Sequence, residues 1–293
     1  MNKLKFALWL CLLSGAAVFA QRGFRGGGYG RGGWGEGGWI GEDVRTAREV
    51  PTHSTGTPIW TNAPGFEKDV FTFARIRRER DYNSRGGSWS TDAPDSDLNL
   101  SFRLQQMTSM KVDPNGRFLR LTDQELNDYP FIYMVEPGSL TLNDDEVVAL
   151  RKYLLNGGFL WLDDFWGERQ WATMENVLKR VFPTRSFVDL PLSHPLYHCV
   201  FPIESKGQVP NVRLGEESEF DPEHVTWELP DAREVHHRVI FDDKGYIMVL
   251  ATHNTDNGDG WEREGESDYY FHNFSEKIAF PLAINVIFYV MTH

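Results

Sequence analysis

The chain reads as an α/β domain with a mostly parallel sheet and helices on both faces, and three observations predict this. Two continuous apolar runs, Phe131 to Val135 (FIYMV) and Phe159 to Leu162 (FLWL), have the length and composition of strands buried on both faces. A single helix with both ends marked lies between them, which is the spacing of a βαβ unit. Each run also stops abruptly on acid, at Glu136 and at Asp163-Asp164, the strand ends where open parallel sheets receive ligands.

The joining helix is the best specified element. Asn143 stands at the cap with Glu146 three residues on, Asp144 and Asp145 lie at the positive end of the dipole, and Gly157 stops the helix. Val147, Leu150 and Leu154 recur at helical spacing and predict one face packed on a sheet. Upstream, Val70 to Ile76 alternates as a strand that finishes on Arg75, Arg77 and Arg78. Asp95 is placed to cap a helix through Leu98, Phe102, Leu104 and Met107, and Arg117 to Leu121 is a short strand. Downstream, the expectation is a helix near Trp171 to Val181, a strand near Phe187 to Leu190, and a helical turn from Pro195 with Ser193 or His194 as its cap. A hairpin from Val239 to Leu250 turns at Asp243-Lys244-Gly245. A last, almost wholly apolar helix follows Ser275 and reaches Met291. Pro281, Asn285 and the length of this helix argue for a place against the sheet rather than across a membrane.

Before the domain, residues 1–20 have the form of a secretory signal peptide: Lys3 and Lys5, an apolar run from Phe6 to Leu13, and small residues leading to cleavage after Ala20. The run is too short and too interrupted for a stable membrane span. The predicted compartment is therefore the periplasm or the exterior. Losing Lys3 and Lys5 takes the formal charge from -12 to -14, and a surface that acidic disfavours nucleic acid and anionic membrane. Removal of Cys11 leaves Cys199 as the sole thiol, so no internal disulfide forms. Residues 21–68 read as a leader, glycine-rich to Gly41 and extended with Pro51, Pro58 and Pro64 thereafter. The domain is expected over 69–293.

Chemistry-bearing residues fall in four places. Adjacent parallel strands would bring Glu136, Asp163 and Asp164 to one edge, where mutual repulsion requires a raised pKa, a cationic partner or a metal. Arg75 could bind ligand at that edge or join these acids in a structural ion-pair network. His194 and His198, four residues apart beside Cys199, have a spacing that suits a metal but lack a third ligand. His253, Asn254, Asp256 and Asp259 crowd one turn that does not match a calcium loop, and in WSTDAPDSD both Asp92 and Asp97 could face a ligand. His236 and His237 point to opposite faces of a strand. These residues do not specify a cofactor or the identity of a metal.

Seven blocks, FTFARI, WSTDAPDSDLNLSFRLQQMTS, DYPFIYMVEPG, LRKYLLNGGFLWLDDFWG, SHPLYHCVF, FDDKGYIMVLATHNTDNGDGWE and FPLAINVIFYVMTH, occur in order over nearly all of 69–293. In this the chain resembles the secreted bacterial family called domain of unknown function 4159, grouped with class I glutamine-amidotransferase-like folds and similar to trehalose-utilisation-type proteins. The resemblance implies a flavodoxin-like sheet. In amidotransferases a Cys occupies the elbow after a central strand. Here Asp163-Asp164-Phe165 stand at that place and Cys199 lies elsewhere, so amidotransferase chemistry is not carried over.

The expected function is a cell-envelope module that binds a small molecule or protein in a cleft lined by Glu136, Asp163, Asp164, His194 and His253, with Asp256 and Arg75 as further ligand-binding candidates. The alternative is a hydrolase of carbohydrate or cell-wall-derived substrate, with Asp163 or Asp164 as base and His194 as acid or metal ligand.

Overall fold

The protein is seen in a computed structural model that describes residues 40–53, 56–65, 69–78 and 89–293. The signal peptide and the glycine-rich tract expected before Ile40 lie outside the described residues. Among the described residues seven strands form one sheet in the order β2-β1-β3-β4-β7-β6-β5. They are β1 (Ala74–Ile76), β2 (Arg117–Leu119), β3 (Phe131–Val135), β4 (Phe159–Asp163), β5 (Val188–Asp189), β6 (His236–Phe241) and β7 (Ile247–His253). The five strands from β2 to β7 in that order pair in parallel, whereas β6 runs antiparallel to both of its neighbours.

Helices cover both faces because the strand residues alternate between them. Phe131, Tyr133, Val135, Phe159, Trp161 and Leu250 pack on one side with α1 (Asp95–Met107), α5 (Asn257–Glu262) and α6 (Asp268–Thr292). Ile132, Met134, Leu160, Leu162, Val249 and Ala251 pack on the other with α2 (Asp144–Leu155) and α3 (Gly167–Val181). A short α4 (Val212–Ser218) packs on the start of α6, with Gly215 close against Tyr270 and Phe274. The capping box at α2 is formed as its sequence predicts, with Asn143 and Glu146 bonding reciprocally.

Three features depart from the sequence reading. Helix α6 starts at Asp268, before Ser275, and passes through a π-helical stretch over Phe271–Ala279. Its 25 residues are long and apolar enough to cross a bilayer, so length does not argue against a span, but 61% of its most apolar window is buried inside the domain. Asn285, fully buried in it, accepts from the backbone N–H of Val200 and Phe201 and donates to the Phe201 carbonyl. Strand β1 is short, and Phe71 makes only an isolated bridge to Val112. Finally, the described residues between Ile40 and Gly65, within the expected leader, lie on the domain. Ala47 is buried, Arg48 donates to the carbonyls of Thr57 and Pro114, and Trp60 donates to that of Val112.

Candidate functional site

The parallel register sets the site. Val135 pairs with Asp163, and the Glu136 N–H donates to the Asp163 carbonyl at 2.9 Å, so Glu136 and Asp164 leave neighbouring strands side by side. The residue directly after each of the three central strands is left-handed: Glu136 (φ 50°) after β3, Asp164 (φ 55°) after β4 and Asn254 (φ 64°) after β7. Asp92, just before α1, has φ 63°. Among the described residues one other non-glycine, His224, shares this conformation. Strain gathered at one sheet edge marks where the chain must turn sharply to present side chains.

Two buried networks hold the walls of this edge. In the first, Arg75 spends every guanidinium N–H: on Asp97 (2.9 Å and 3.1 Å from Nε, 2.5 Å from Nη2), on Ser96 Oγ, and on the carbonyls of Trp89 and Thr91. Arg75 is thus the partner of Asp97, and it clamps the loop that carries Asp92. In the second, the Asp163 carboxylate accepts from Tyr133 Oη, Thr252 Oγ1, Asn257 N, Asn257 Nδ2 and Gly258 N, at 2.5–3.2 Å. It thereby fixes the start of α5. Burial pushes the Asp163 pKa up, and its donors from Thr252, Asn257 and Tyr133 pull it back.

Between these walls lies a group of acids. Asp256 caps α5, accepting from the Asp259 N–H at 2.9 Å. Asp92, Asp259 and Glu262 each present an oxygen within 4.8 Å of the others. Asp164, half-buried, accepts from Trp166 Nε1, and Glu136 accepts from Thr91 Oγ1. Burial raises the pKa of Asp92, Asp164 and Asp256 well above the aspartate range, and each is raised further by its acidic neighbours. Asp259 is raised by burial too, with Arg263 acting against the shift. Two cations stand close: Arg263 pairs with Glu262 at 2.6 Å, and Arg78 donates to the carbonyls of Val135 and Glu136.

The two histidines expected here are placed apart from the acids. His194 caps the short 3-10 turn Pro195–His198, its Nδ1 accepting from Leu196 N, with its ring against Phe241 and Tyr289. Phe241 ends the antiparallel β6, so His194 sits at the opposite edge of the sheet from Asp164. His253 does end β7, but it alternates with Thr252 and so lies on the face away from Asp163. Its ring stacks on Phe165, its Nε2 faces the Gly167 carbonyl at 3.1 Å and its Nδ1 faces Arg238 at 3.2 Å. Burial lowers its pKa to about 4, which keeps it neutral. Cys199 donates to the carbonyls of Leu196 and Asn285, and burial raises its thiol pKa. Glu262 escaped the sequence reading. Had Asn257–Glu262 been read as helix rather than turn, Asp259 and Glu262, three residues apart, would have shared a face.

These shifts predict a pH dependence with a definite sign. Carboxyls raised in the fold lend stability that is complete below about pH 4 and is lost as pH climbs through their raised values. Neutral His237 (about 3) and His253 (about 4) act oppositely, losing stability as pH falls below about 6.5. Above that pH the histidines drop out. The histidine contribution is common to parent and variant, so the melting temperature of chelator-treated protein should fall less steeply with rising pH in Asp92→Asn than in the parent; equal slopes in the two proteins would contradict this account.

Comparison of the chain with curated proteins finds no match. The family model described as domain of unknown function (DUF4159) matches residues 72–291, from just before β1 to the end of α6, and the chain belongs to that family.

Proposed function

We propose that this is a secreted or periplasmic binding module of flavodoxin-like, amidotransferase-like architecture, whose acidic cleft at the ends of β3, β4 and β7 captures a positively charged ligand. The observation that carries the reading is the excess of acid at this edge: Asp92, Asp164, Asp256, Asp259 and Glu262 converge while every N–H of Arg75 is spent on Asp97, Ser96 and two backbone carbonyls. Such a site lowers its own electrostatic cost by binding cationic groups. The strand order supports the architecture, since β2-β1-β3-β4 followed by a fifth parallel strand is the flavodoxin-like sequence of strands. The thiol at Cys199 lies against α6 rather than after β4, which argues for binding without amidotransferase chemistry.

The test is a thermal-shift screen with mono-, di- and polyamines and amino sugars. A ligand at saturating concentration should raise the melting temperature by about 5 °C. Asp164→Asn, at the half-buried mouth, should abolish that rise while leaving the unliganded protein folded. No response to any organic cation would remove this reading. The hydrolase alternative draws on Asp164, strained, half-buried and raised in pKa directly after β4. Under it the same variant would lose turnover of a carbohydrate or cell-wall fragment.

A further inference from the structure

We propose that Asp92, Asp259 and Glu262 form a binding site for a hard divalent cation of calcium size, set in the inner part of the cleft. The inference deepens the cation-binding reading above and rests on it. The three carboxylates come from two separate elements, the loop before α1 and the body of α5, and all are buried: 4%, 8% and 2% exposed. Their facing oxygens lie within 4.8 Å of one another. Calcium–oxygen distances are roughly 2.4 Å, so ligands on opposite sides of the ion stand about 4.8 Å apart. Three such oxygens therefore fit around one ion.

Acids in proximity are by themselves only a cluster, and a second observation points to a ligand. Asp92 Oδ2 is buried, and among the described residues no N–H or O–H group is in hydrogen-bonding position to it. It points over Gly258, where an added methyl group would collide with it and would stand 3.2 Å from Tyr133 Oη and 3.3 Å from Asp256 Oδ1. The backbone of α5 thus gives up a side chain to admit a carboxylate oxygen whose carboxyl group has, among the described residues, only a second acid, Asp259, with which to share a proton. Leaving such an oxygen bare in the interior is costly, and a cation relieves the cost. The donor set contains no imidazole or thiolate, which selects calcium, magnesium or manganese over zinc or copper. Three carboxylates against one divalent charge, with Arg263 at the rim on Glu262, leave the occupied site close to neutral.

The experiment uses terbium as the calcium probe, because Trp261 lies between Asp259 and Glu262 in α5 and can sensitise terbium emission. Chelator-treated protein titrated with terbium should show saturable emission at one ion per chain, reversed by calcium. Asp92→Asn and Glu262→Gln should weaken binding by more than the roughly 10–100-fold that loss of an outer partner costs. Asp145→Asn, an exposed acid on α2, should bind as the parent does. Anomalous scattering from a terbium-soaked crystal must place the ion between the three carboxylates, which decides the matter even where a variant fails to fold. No saturable emission, or an ion located elsewhere, overturns the proposal and leaves the acids sharing protons. Amine binding without ion binding would sink this inference alone. Ion binding without any response to amines would sink the wider reading of the mouth.

Discussion

Replacing Arg75 by methionine is expected to lower the unfolding free energy by about 4 kcal/mol, because it leaves the Asp97 carboxylate buried without its cation. Both side chains of the pair are wholly inaccessible. The guanidinium also holds the carbonyls of Trp89 and Thr91, so its loss strands two backbone acceptors and frees the loop that positions Asp92. Against a typical total of about 5–15 kcal/mol, that is a large share of the domain's stability. The double variant Arg75→Met/Asp97→Leu should regain part of the loss, since an apolar pair of similar volume removes the stranded charge. Urea denaturation measures both. A loss below about 1 kcal/mol in the single variant, the range of a surface ion pair, would mean that the pair does not secure this wall. Loss of the terbium response in a variant that still folds would show that Arg75 positions Asp92 as well as stabilising the fold.

The course of the chain from Phe131 to Asp163 was legible because local signals agree there. Two runs buried on both faces flank a helix whose cap, acidic first turn, apolar stripe and stop all say the same thing, and the strands begin where expected. The edge was legible for the same reason: once β3 and β4 are parallel neighbours, Glu136 and Asp164 must emerge together. What the sequence could not display was partnership across long separations. Arg75 has several acids within reach of a plausible fold, and only the packing of α1 against β1 selects Asp97 over Asp163. The same limit applies to Thr57, whose hydroxyl bonds Asn99 and so ties a proline-rich approach segment to α1. Backbone strain is equally silent in composition. Glu136 is a poor residue for a left-handed turn, and nothing in PFIYMVEPG announces it. The short helix α5 was hidden by its own residues, because Asn, Gly and Asp are turn formers and here a helix start is imposed on them by the carboxylate beneath.

That carboxylate carries the largest effect expected of any single side chain. Asp163→Ala should cost about 5 kcal/mol, since it removes the acceptor for five buried donors at once, two of them the backbone N–H groups of Asn257 and Gly258 that open α5. Asp163→Asn is the sharper measurement because it keeps the volume. If the acid were neutral in the fold, an amide would imitate it and the loss would be small. Five donors directed at two oxygens argue that it is ionised, because a protonated carboxyl would set its own O–H against one of them. An amide meets the same difficulty with its N–H2 group. Asp163→Asn should therefore lose about half of what the alanine variant loses, read by urea denaturation at neutral pH. A loss indistinguishable from zero would show a neutral acid at this position, and with it a cleft whose acidity is damped at its base. A large loss with unchanged amine and terbium binding would separate Asp163, as scaffold, from the acids it holds in place.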